Sequence, residues 1–341
     1  MTNLNDFTAI VGIDIAKNVF QVYTLETATG EAKNESIKRD QLLPMFANRG
    51  SCLIGMEACG GSQYWARKLT ELGHTVHLMD PKRVKPFVAR NKSDRADAEG
   101  IYIALRQGVQ RVPVKNDTER DIQTLLTMRT MLVKQRTANV NHVRGLLMEY
   151  GIVIPKSLNR FEREIDESIG RLAGDAVQLI IDQLRDTVKA IRESDARIKN
   201  LTAEISRLAK ATKHGENLFS VPGVGVVTMA HLCVLLADPS VFASGRQFAA
   251  FLGLVPMHTG SGGKTINTHI PGRCDKRLRA LLVECAQSVA RMKHKAPWVT
   301  SILAKKPKKV ALIAIANRLA RQCWAVASKN QPWRTTPSQI A

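Results

Sequence analysis

The stretch that decides the fold is Ala9-Ile10-Val11-Gly12-Ile13-Asp14-Ile15, an apolar run that contains one glycine and one acid. Such a run is typical of a central β-strand that is buried on both faces. An ionised carboxylate at that position costs free energy unless it reaches a cleft or a cation. The pattern therefore predicts that Asp14 faces a cleft or a cation.

Four further strands are predicted from apolar runs, at residues 19–25, 32–37, 52–56 and 75–79. The run 52–56 ends in Glu57, and a glycine-containing loop and a helix follow it. The predicted order is three strands, helix, strand, helix, strand, helix. This order is consistent with an α/β layered domain of the RNase H type.

A second acidic feature lies in the stretch Asn91-Lys92-Ser93-Asp94-Arg95-Ala96-Asp97-Ala98-Glu99. Ser93 is a favourable helix N-cap, and the apolar spacing after it predicts a helix. Asp94 and Asp97 then share one face of that helix, where two carboxylates repel each other unless a cation lies between them. The stretch alone fits equally well a divalent-metal site and a solvated helix start whose acids cap the helix or pair with arginines.

Asp14, Glu57, Asp94 and Asp97 form an ordered set: strand-Asp, strand-Glu, helix-Asp-x-x-Asp. A two-metal phosphoryl-transfer site requires several hard oxygen ligands to hold Mg²⁺ ions at the scissile phosphate. The set therefore predicts a magnesium site. A Gly-x-Asp strand also opens sugar kinases and actin-like ATPases, but their later glycine-rich phosphate loops are not evident here.

The chain is strongly basic, with 50 Lys plus Arg against 30 Asp plus Glu and a net charge of +20. Residues 213–341 supply +14 of this charge, since they carry 18 basic and only 4 acidic groups. Such an excess predicts a polyanionic partner. Lys92 and Arg95 belong to a basic group around the Asp94 and Asp97 pair, and phosphate contacts are expected there rather than a merely solvated face.

The middle of the chain is predicted to be helical. A capping-box pattern at residues 116–119 opens a long helix that Gly151 and Pro155 end. A second helical region carries a heptad series, which consists of Val177, Leu184, Ile191, Ile198 and Ile205. This repeat predicts a coiled coil or a helical hairpin. Packing against the same chain and dimerisation through the seam are equally compatible with it.

The C-terminal third contains two glycine-based motifs. Residues 218–230, with Gly223 and Gly225, are similar to a helix-hairpin-helix whose turn presents backbone N–H groups to a DNA phosphate; a packing turn is the alternative. In Thr259-Gly260-Ser261-Gly262-Gly263-Lys264 a serine is bracketed by glycines, so its hydroxyl is accessible. Taken alone, Ser261 fits a flexible-loop serine better than a nucleophile. The cations that could neutralise a nearby phosphate are Lys264, Arg273, Lys276 and Arg277.

No apolar run reaches membrane-spanning length and no secretory signal precedes the first strand. The six cysteines are scattered, without a C-x-x-C pair. These features predict a reduced cytoplasmic protein with mostly buried thiols and no membrane partner.

These motifs resemble those of one family over nearly the whole chain. The acidic motifs Gly12-Ile13-Asp14, Met56-Glu57 and Lys92-Ser93-Asp94-Arg95-Ala96-Asp97-Ala98 are in the family's order. The C-terminal match comprises Val221-Pro222-Gly223-Val224-Gly225, residues 245–256 and Ser261-Gly262-Gly263-Lys264. The chain thus resembles the DEDD transposases of the IS110 family, in particular the IS1111 branch, which are bridge-RNA-guided recombinases of bacterial insertion sequences.

The resemblance implies three domains: a RuvC-like domain at residues 1–145, a helical coiled coil at 146–212 and a basic, mainly helical transposase domain at 213–341. It implies that the four acids bind Mg²⁺ and that Ser261 attacks DNA, leaving a covalent phosphoserine before strand exchange. The family often has two successive serines at that position, and here the first is Gly260; residues 265–275 also depart from the family pattern.

The partners that the resemblance implies are donor and target DNA, a non-coding guide RNA and further copies of the chain, as a dimer or as a tetramer on DNA. A bacterial, nucleoid-associated location follows. Two alternatives differ in chemistry from this DNA recombinase. One is a RuvC-like nuclease that cleaves DNA with metal-activated water, and the other is a non-catalytic nucleic-acid-binding relic of a transposase.

Overall fold

The computed structural model describes residues 4–88, 93–259, 266–267, 269–272 and 274–334. The chain forms two compact units: residues 1–116 together with 235–341, and residues 117–234. The first unit thus combines the N-terminal and C-terminal parts of the sequence. The predicted division at residues 145 and 212 groups the chain differently and stays a prediction about the family's domains.

A six-stranded sheet forms the core of the N-terminal part, in the order β3-β2-β1-β4-β5-β6. Its strands are β1 Ala9–Asp14, β2 Val19–Glu26, β3 Ala32–Lys38, β4 Cys52–Glu57, β5 Thr75–Met79 and β6 Arg111–Val112. β1, β4 and β5 are parallel, whereas β2, β3 and β6 are antiparallel to their neighbours. The predicted order of strands and helices is confirmed, and the fold is mixed α/β as expected for a RuvC-like domain; β6 was not predicted.

Helices cover both faces of this sheet. They are α1 Leu42–Ala47, α2 Ser62–Glu71, α3 Pro81–Val84 and α4 Asp94–Arg106. Because side chains alternate along a strand, Val11 and Ile13 of β1 pack with α1 and α2, while Ile10 packs with α4. The even-numbered residues of β1, which include Gly12 and Asp14, therefore face α4.

The C-terminal helices belong to the same unit, and the segment before α10 contacts residues at the β6 edge of the sheet. They are α10 Gly245–Phe251, α11 Lys276–Arg291, α12 Pro297–Lys305 and α13 Lys308–Lys329. Five helices, α5 to α9, lie before them in the chain between Asp117 and Leu235. A short antiparallel pair, β7 His258–Thr259 and β8 Ile266–Asn267, lies between α10 and α11. Arg111 of β6 forms an ion pair with Asp238 at 3.8 Å, and the amide of Gln110 donates a hydrogen bond to the carbonyl of Val241 at 3.4 Å.

The second unit is helical. Its helices are α5 Asp117–Glu149, α6 Leu158–Gly170, α7 Gln178–Ala211, α8 Gly215–Phe219 and α9 Val226–Leu235. Helices α5 and α7 are antiparallel, because Arg129 bonds to Thr202 while Arg136, further along α5, bonds to Asp195. Of the predicted heptad positions, Leu184, Ile191, Ile198 and Ile205 are buried, whereas Val177 is 66% exposed as the N-cap of α7. The seam is thus buried within one chain, and dimerisation through this unit stays a prediction.

All six cysteines are free, and five of them are buried, as predicted; Cys59 is exposed. Within the described part of the chain, no helix is both long enough and apolar enough to cross a membrane.

Candidate active site

Asp14 and Glu57 end two neighbouring parallel strands. Ile13 of β1 is in register with Met56 of β4, so the two acids that follow them lie side by side at the carboxyl edge of the sheet. Ile13 and Met56 are fully buried against the α1 and α2 face, and strand alternation turns the next side chains towards α4. Both acids are partly buried. The strand pairing therefore brings these two predicted site residues together.

Helix α4 lies close above β1 because β1 has a glycine at the crossing point. A Cβ atom added to Gly12 would lie 2.6 Å from the backbone nitrogen of Tyr102 and would overlap the carbonyl oxygen of Ala98. Only a residue without a side chain permits this approach. The glycine in the Gly-x-Asp pattern thus sets the distance between the strand that carries Asp14 and the helix that carries the other two aspartates.

The first turn of α4 places its acids over Asp14. Ser93 is the N-cap, as predicted, and its hydroxyl accepts a hydrogen bond from the backbone nitrogen of Ala96 at 3.3 Å. Carboxylate oxygens of Asp14, Asp94 and Asp97 lie within 4.8 Å of one another. Three hard oxygen donors at this spacing fit a divalent cation, which would offset their mutual repulsion. The structure thus brings together residues from β1 and α4 that are about eighty positions apart in the chain.

Glu57 is not among these three acids, but it lies beside them. Burial raises the pKa of the Cys59 thiol, and the nearby carboxylates of Glu57 and Asp14 raise it further. Because both acids act on the same thiol, their charges converge at this end of the sheet. Glu57 is therefore placed as a neighbour of the three-aspartate cluster.

A chain of hydrogen bonds supports the turn that carries the aspartates, and the sequence interpretation missed it. The Ser36 hydroxyl donates to Gln21 at 2.7 Å, the amide of Gln21 donates to Asn34 at 2.6 Å, and the amide of Asn34 donates to the carbonyl of Arg95 at 3.1 Å. Gln21 is opposite both Asp14 and Ser36 in the sheet. The available signal was polar residues on one face of two adjacent strands, next to an acid of the site.

Comparison with known proteins identifies the family to which the chain belongs. Residues 11–152 match the model of the IS110-type DEDD transposases, and residues 215–300 match the model described as the transposase IS116/IS110/IS902 family. A probable family 20 transposase of Pseudomonas aeruginosa is 34% identical over 333 residues, which covers 95% of this chain and 98% of that protein. The chain belongs to the DEDD transposases of the IS110 family.

Other relatives are named as a transposase and as a gene-inverting protein. The transposase for insertion sequence element IS1111A of Coxiella burnetii is 32% identical over 331 residues, covering 95% of this chain and 91% of that protein. The pilin gene-inverting protein of Moraxella lacunata is 26% identical over 345 residues, covering 95% and 97%. The DEDD transposases are DNA-rearranging enzymes, and their four-acid motif implies a divalent metal.

The predicted nucleic-acid-binding residues of the transposase lie on several structural elements. Arg95 is exposed on the first turn of α4. Lys276 and Arg277 are exposed on the first turn of α11, which Asp275 caps by accepting hydrogen bonds from the backbone nitrogens of Arg277 and Leu278. Their role in binding stays a prediction.

The predicted hairpin motif of the transposase is a turn between α8 and α9. Gly223 has a φ angle of +81°, which a glycine adopts without strain, and Gly225 is exposed just before α9 begins. A phosphate contact at this turn remains an expectation.

Four predicted site residues lie outside the described residues, and they are Lys92, Ser261, Lys264 and Arg273.

Proposed function

We propose that this transposase cleaves and exchanges DNA strands with Ser261 as nucleophile, and that Asp14, Glu57, Asp94 and Asp97 hold Mg²⁺ at the reacting phosphate. The observation that carries the proposal is the convergence of the Asp14, Asp94 and Asp97 carboxylates within 4.8 Å. Family membership supports the DNA substrate. Magnesium is the ion of choice because carboxylate oxygens suit a hard cation and phosphate oxygens complete its coordination.

In the proposed reaction the Ser261 oxygen forms a bond to phosphorus and gives up its proton, while the bond from phosphorus to one sugar oxygen breaks and that oxygen takes up a proton. Attack by a sugar hydroxyl of another strand on the phosphoserine then reverses these changes and releases Ser261. Bound Mg²⁺ would stabilise the charge that develops on the phosphate oxygens. The four carboxylates would hold this ion, and through it the phosphate, in a fixed position.

Contacts within the first unit support a role for the C-terminal motif beside the acids. The ammonium group of Lys82 donates a hydrogen bond to the carbonyl of Cys274 at 3.3 Å, and the guanidinium of Arg83 lies 5.4 Å from the ring centre of Phe251. Helix α3, which carries both cations, follows β5, whose carboxyl end is at the same edge of the sheet as Asp14 and Glu57. Segments that flank the serine motif on both sides thus contact the element next to the acidic edge.

The remaining parts of the proposal concern partners. We infer that a non-coding guide RNA selects donor and target DNA, supported by the excess of +14 charges in residues 213–341. Homo-oligomerisation, as a dimer and as a tetramer on DNA, is supported by large apolar side chains on the outside of α5, where Met128 is 53% and Met131 60% exposed. Sequencing of RNA that co-purifies with the protein tests the guide, and a discrete species is expected.

The test of the nucleophile is the covalent adduct. A DNA junction substrate incubated with the protein, its co-purifying RNA and Mg²⁺ should yield a protein–DNA adduct that survives denaturing electrophoresis. Ser261→Ala should abolish the adduct, whereas Ser301→Ala, at an exposed serine of α12, should leave it unchanged. An undiminished adduct in Ser261→Ala would rule out this nucleophile.

A metal-dependent nuclease is the second candidate function, because a divalent ion held by the acid cluster would activate a water molecule for hydrolysis without a serine. It predicts free DNA ends, no adduct, and cleavage that persists in Ser261→Ala. If the parent protein binds DNA but cleaves none with Mg²⁺ and RNA present, the non-catalytic interpretation holds instead.

A further inference from the structure

A basic cleft lies between α10 and α13, and its lining residues differ from the three clustered aspartates. Its volume is about 930 Å³, and it is lined by the first turn of α10, the second half of α13 and residues 331–334. Five cations line it, which are Arg246, Arg318, Arg321, Lys329 and Arg334. Among the residues that the structure describes, no acid lines it.

In the part of the chain that the structure describes, no acidic side chain neutralises these cations. Within the described residues none of the five forms an ion pair, and Arg318 instead lies 4.2 Å from the ring centre of Trp298. Burial lowers the pKa of Arg318, and the positive charge of Arg321 lowers it further. Cations that are held together in this way repel each other until an anion binds between them.

The row of cations is longer than a single phosphate. Lys329 lies eleven positions after Arg318 on α13, which corresponds to about 16 Å along the helix axis at 1.5 Å per residue. A nucleic-acid strand carries a phosphate about every 3.4 Å, or further apart when it is extended, so several phosphates fit along this length. A polymer is therefore a better match than a small anion.

Two indole rings provide an aromatic surface beside the cations. Trp324 is held in place because its Nε1 donates a hydrogen bond to the carbonyl of Pro239 at 3.2 Å, and Gly245 allows α10 to approach its ring. Asn330 ends α13 in the left-handed conformation, with φ of +48°, and turns the chain back so that Trp333 also lines the cleft. In proteins that bind single strands, successive unpaired bases stack on partly exposed aromatic rings that lie next to cations.

We propose that this cleft binds a single-stranded segment of nucleic acid, with the indole of Trp333 stacked on an unpaired base and the cations of α13 on neighbouring phosphates. Bases inside a duplex are already stacked, so a duplex would use the cations alone. The proposal deepens the nucleic-acid binding of the proposed function by naming a site and a strand state. It needs neither the metal nor Ser261, so its test is made without divalent ions and without cleavage.

The test measures binding of labelled oligonucleotides of about 12 residues by fluorescence anisotropy, as oligo-dT, oligo-U and a mixed-sequence duplex. Trp333→Ala should weaken single-strand binding about tenfold and duplex binding less than twofold, because only the single strand loses a stacking partner. Trp333→Phe, which keeps an aromatic ring, should restore most of the affinity. Quenching of tryptophan fluorescence by oligo-dT or oligo-U should be reduced in both variants.

The contribution of the cations is tested separately, by the salt dependence of binding. Arg321→Gln should lower the slope of log affinity against log salt by about 0.7 for a single strand, since one phosphate contact is lost. Lys189→Gln, at an exposed lysine of α7, removes the same charge elsewhere and should change neither the slope nor the strand preference. Thermal melting of each variant confirms that it is folded.

The same binding data distinguish RNA from DNA as the ligand of the cleft. Tighter binding of oligo-U than of oligo-dT assigns the cleft to RNA, the reverse assigns it to DNA, and equal affinities support the shared chemistry. Unchanged single-strand affinity in Trp333→Ala would overturn the proposal. Equal losses for single strand and duplex would also overturn it, because they would show a general basic surface.

Discussion

Gly12 on β1 lies so close to Tyr102 on α4 that a Cβ atom added to the glycine would come within 2.6 Å of the tyrosine's backbone nitrogen. We expect Gly12→Ala to push α4 away from the sheet and to lower the free energy of unfolding by about 1–3 kcal/mol, the usual cost of overpacking a core. Binding of Mg²⁺, measured by titration calorimetry without DNA, should weaken in parallel, because Asp94 and Asp97 move with the helix.

The matched control is Gly145→Ala in α5, where a Cβ atom would meet nothing within 4 Å. An alanine in a helix interior is favoured over glycine by up to about 1 kcal/mol, so this variant should be slightly more stable and should bind Mg²⁺ like the parent. Equal metal affinity in Gly12→Ala and the parent would contradict the role assigned to the close approach of α4.

The hydrogen bond from Asn34 to the carbonyl of Arg95 makes a second prediction. Asn34→Ala should lower stability by only about 1 kcal/mol, the typical net value of a hydrogen bond, but should raise the Mg²⁺ concentration needed for half-maximal cleavage several-fold. The reason is that the first turn of α4 loses its support while every carboxylate is retained.

A double-mutant cycle separates positioning from general destabilisation. Gln21→Ala combined with Asn34→Ala should cost scarcely more metal affinity than either change alone, because both act through one chain of hydrogen bonds. Asn159→Ala, at an exposed asparagine of α6, provides the control with unchanged metal dependence. Fully additive losses would show that Gln21 and Asn34 act separately.

Features that depend on neighbouring residues in the chain were predictable from sequence. Ser93 as N-cap, and Asp94 with Asp97 on one helix face, follow from the local pattern. Asp14 was found because a carboxylate in a buried strand is costly. The heptad series likewise identified the residues by which α7 packs, apart from the exposed Val177 at its N-cap.

What could not be predicted depends on strand register and on long-range packing. Gln21, Asn34 and Ser36 become one hydrogen-bonded chain only through the pairing of β2 with β3. The union of residues 1–116 and 235–341 in one unit joins segments that the long helical unit separates in the sequence. The return of Trp333 to α13 similarly depends on the left-handed backbone of Asn330, which no motif of the sequence signalled.

His77 on β5 makes a pH-dependent prediction. Burial lowers the pKa of His77 below its ordinary value of 6.5, and the positive charge of Arg111 lowers it further. The unfolded chain therefore binds a proton at this residue at a higher pH than the folded chain does. Stability from this source is complete above pH 6.5 and decreases as the pH falls through the pKa of the folded state.

Thermal melting between neutral pH and pH 5 measures this effect. His77→Asn should flatten the decrease of the melting temperature with falling pH, and Arg111→Gln should reduce it only in part, because burial of the imidazole remains. A parent-like pH dependence in His77→Asn would assign the decrease to other groups.

Two serines with the same structural role distinguish the metal site from helix stability. Ser93 caps α4 by accepting a hydrogen bond from the nitrogen of Ala96 at 3.3 Å, and Ser157 caps α6 by accepting one from the nitrogen of Arg160 at 3.4 Å. Either change to alanine should lower the free energy of unfolding by about 1 kcal/mol, since each leaves a helix N-terminus without its cap. Only Ser93→Ala should also weaken Mg²⁺ binding, because α4 begins with Asp94 and carries Asp97 one turn later. Calorimetric titration with Mg²⁺ compares the two variants, which should have lost similar free energies of unfolding. Equal metal affinities would mean that the first turn of α4 is held in place without its cap.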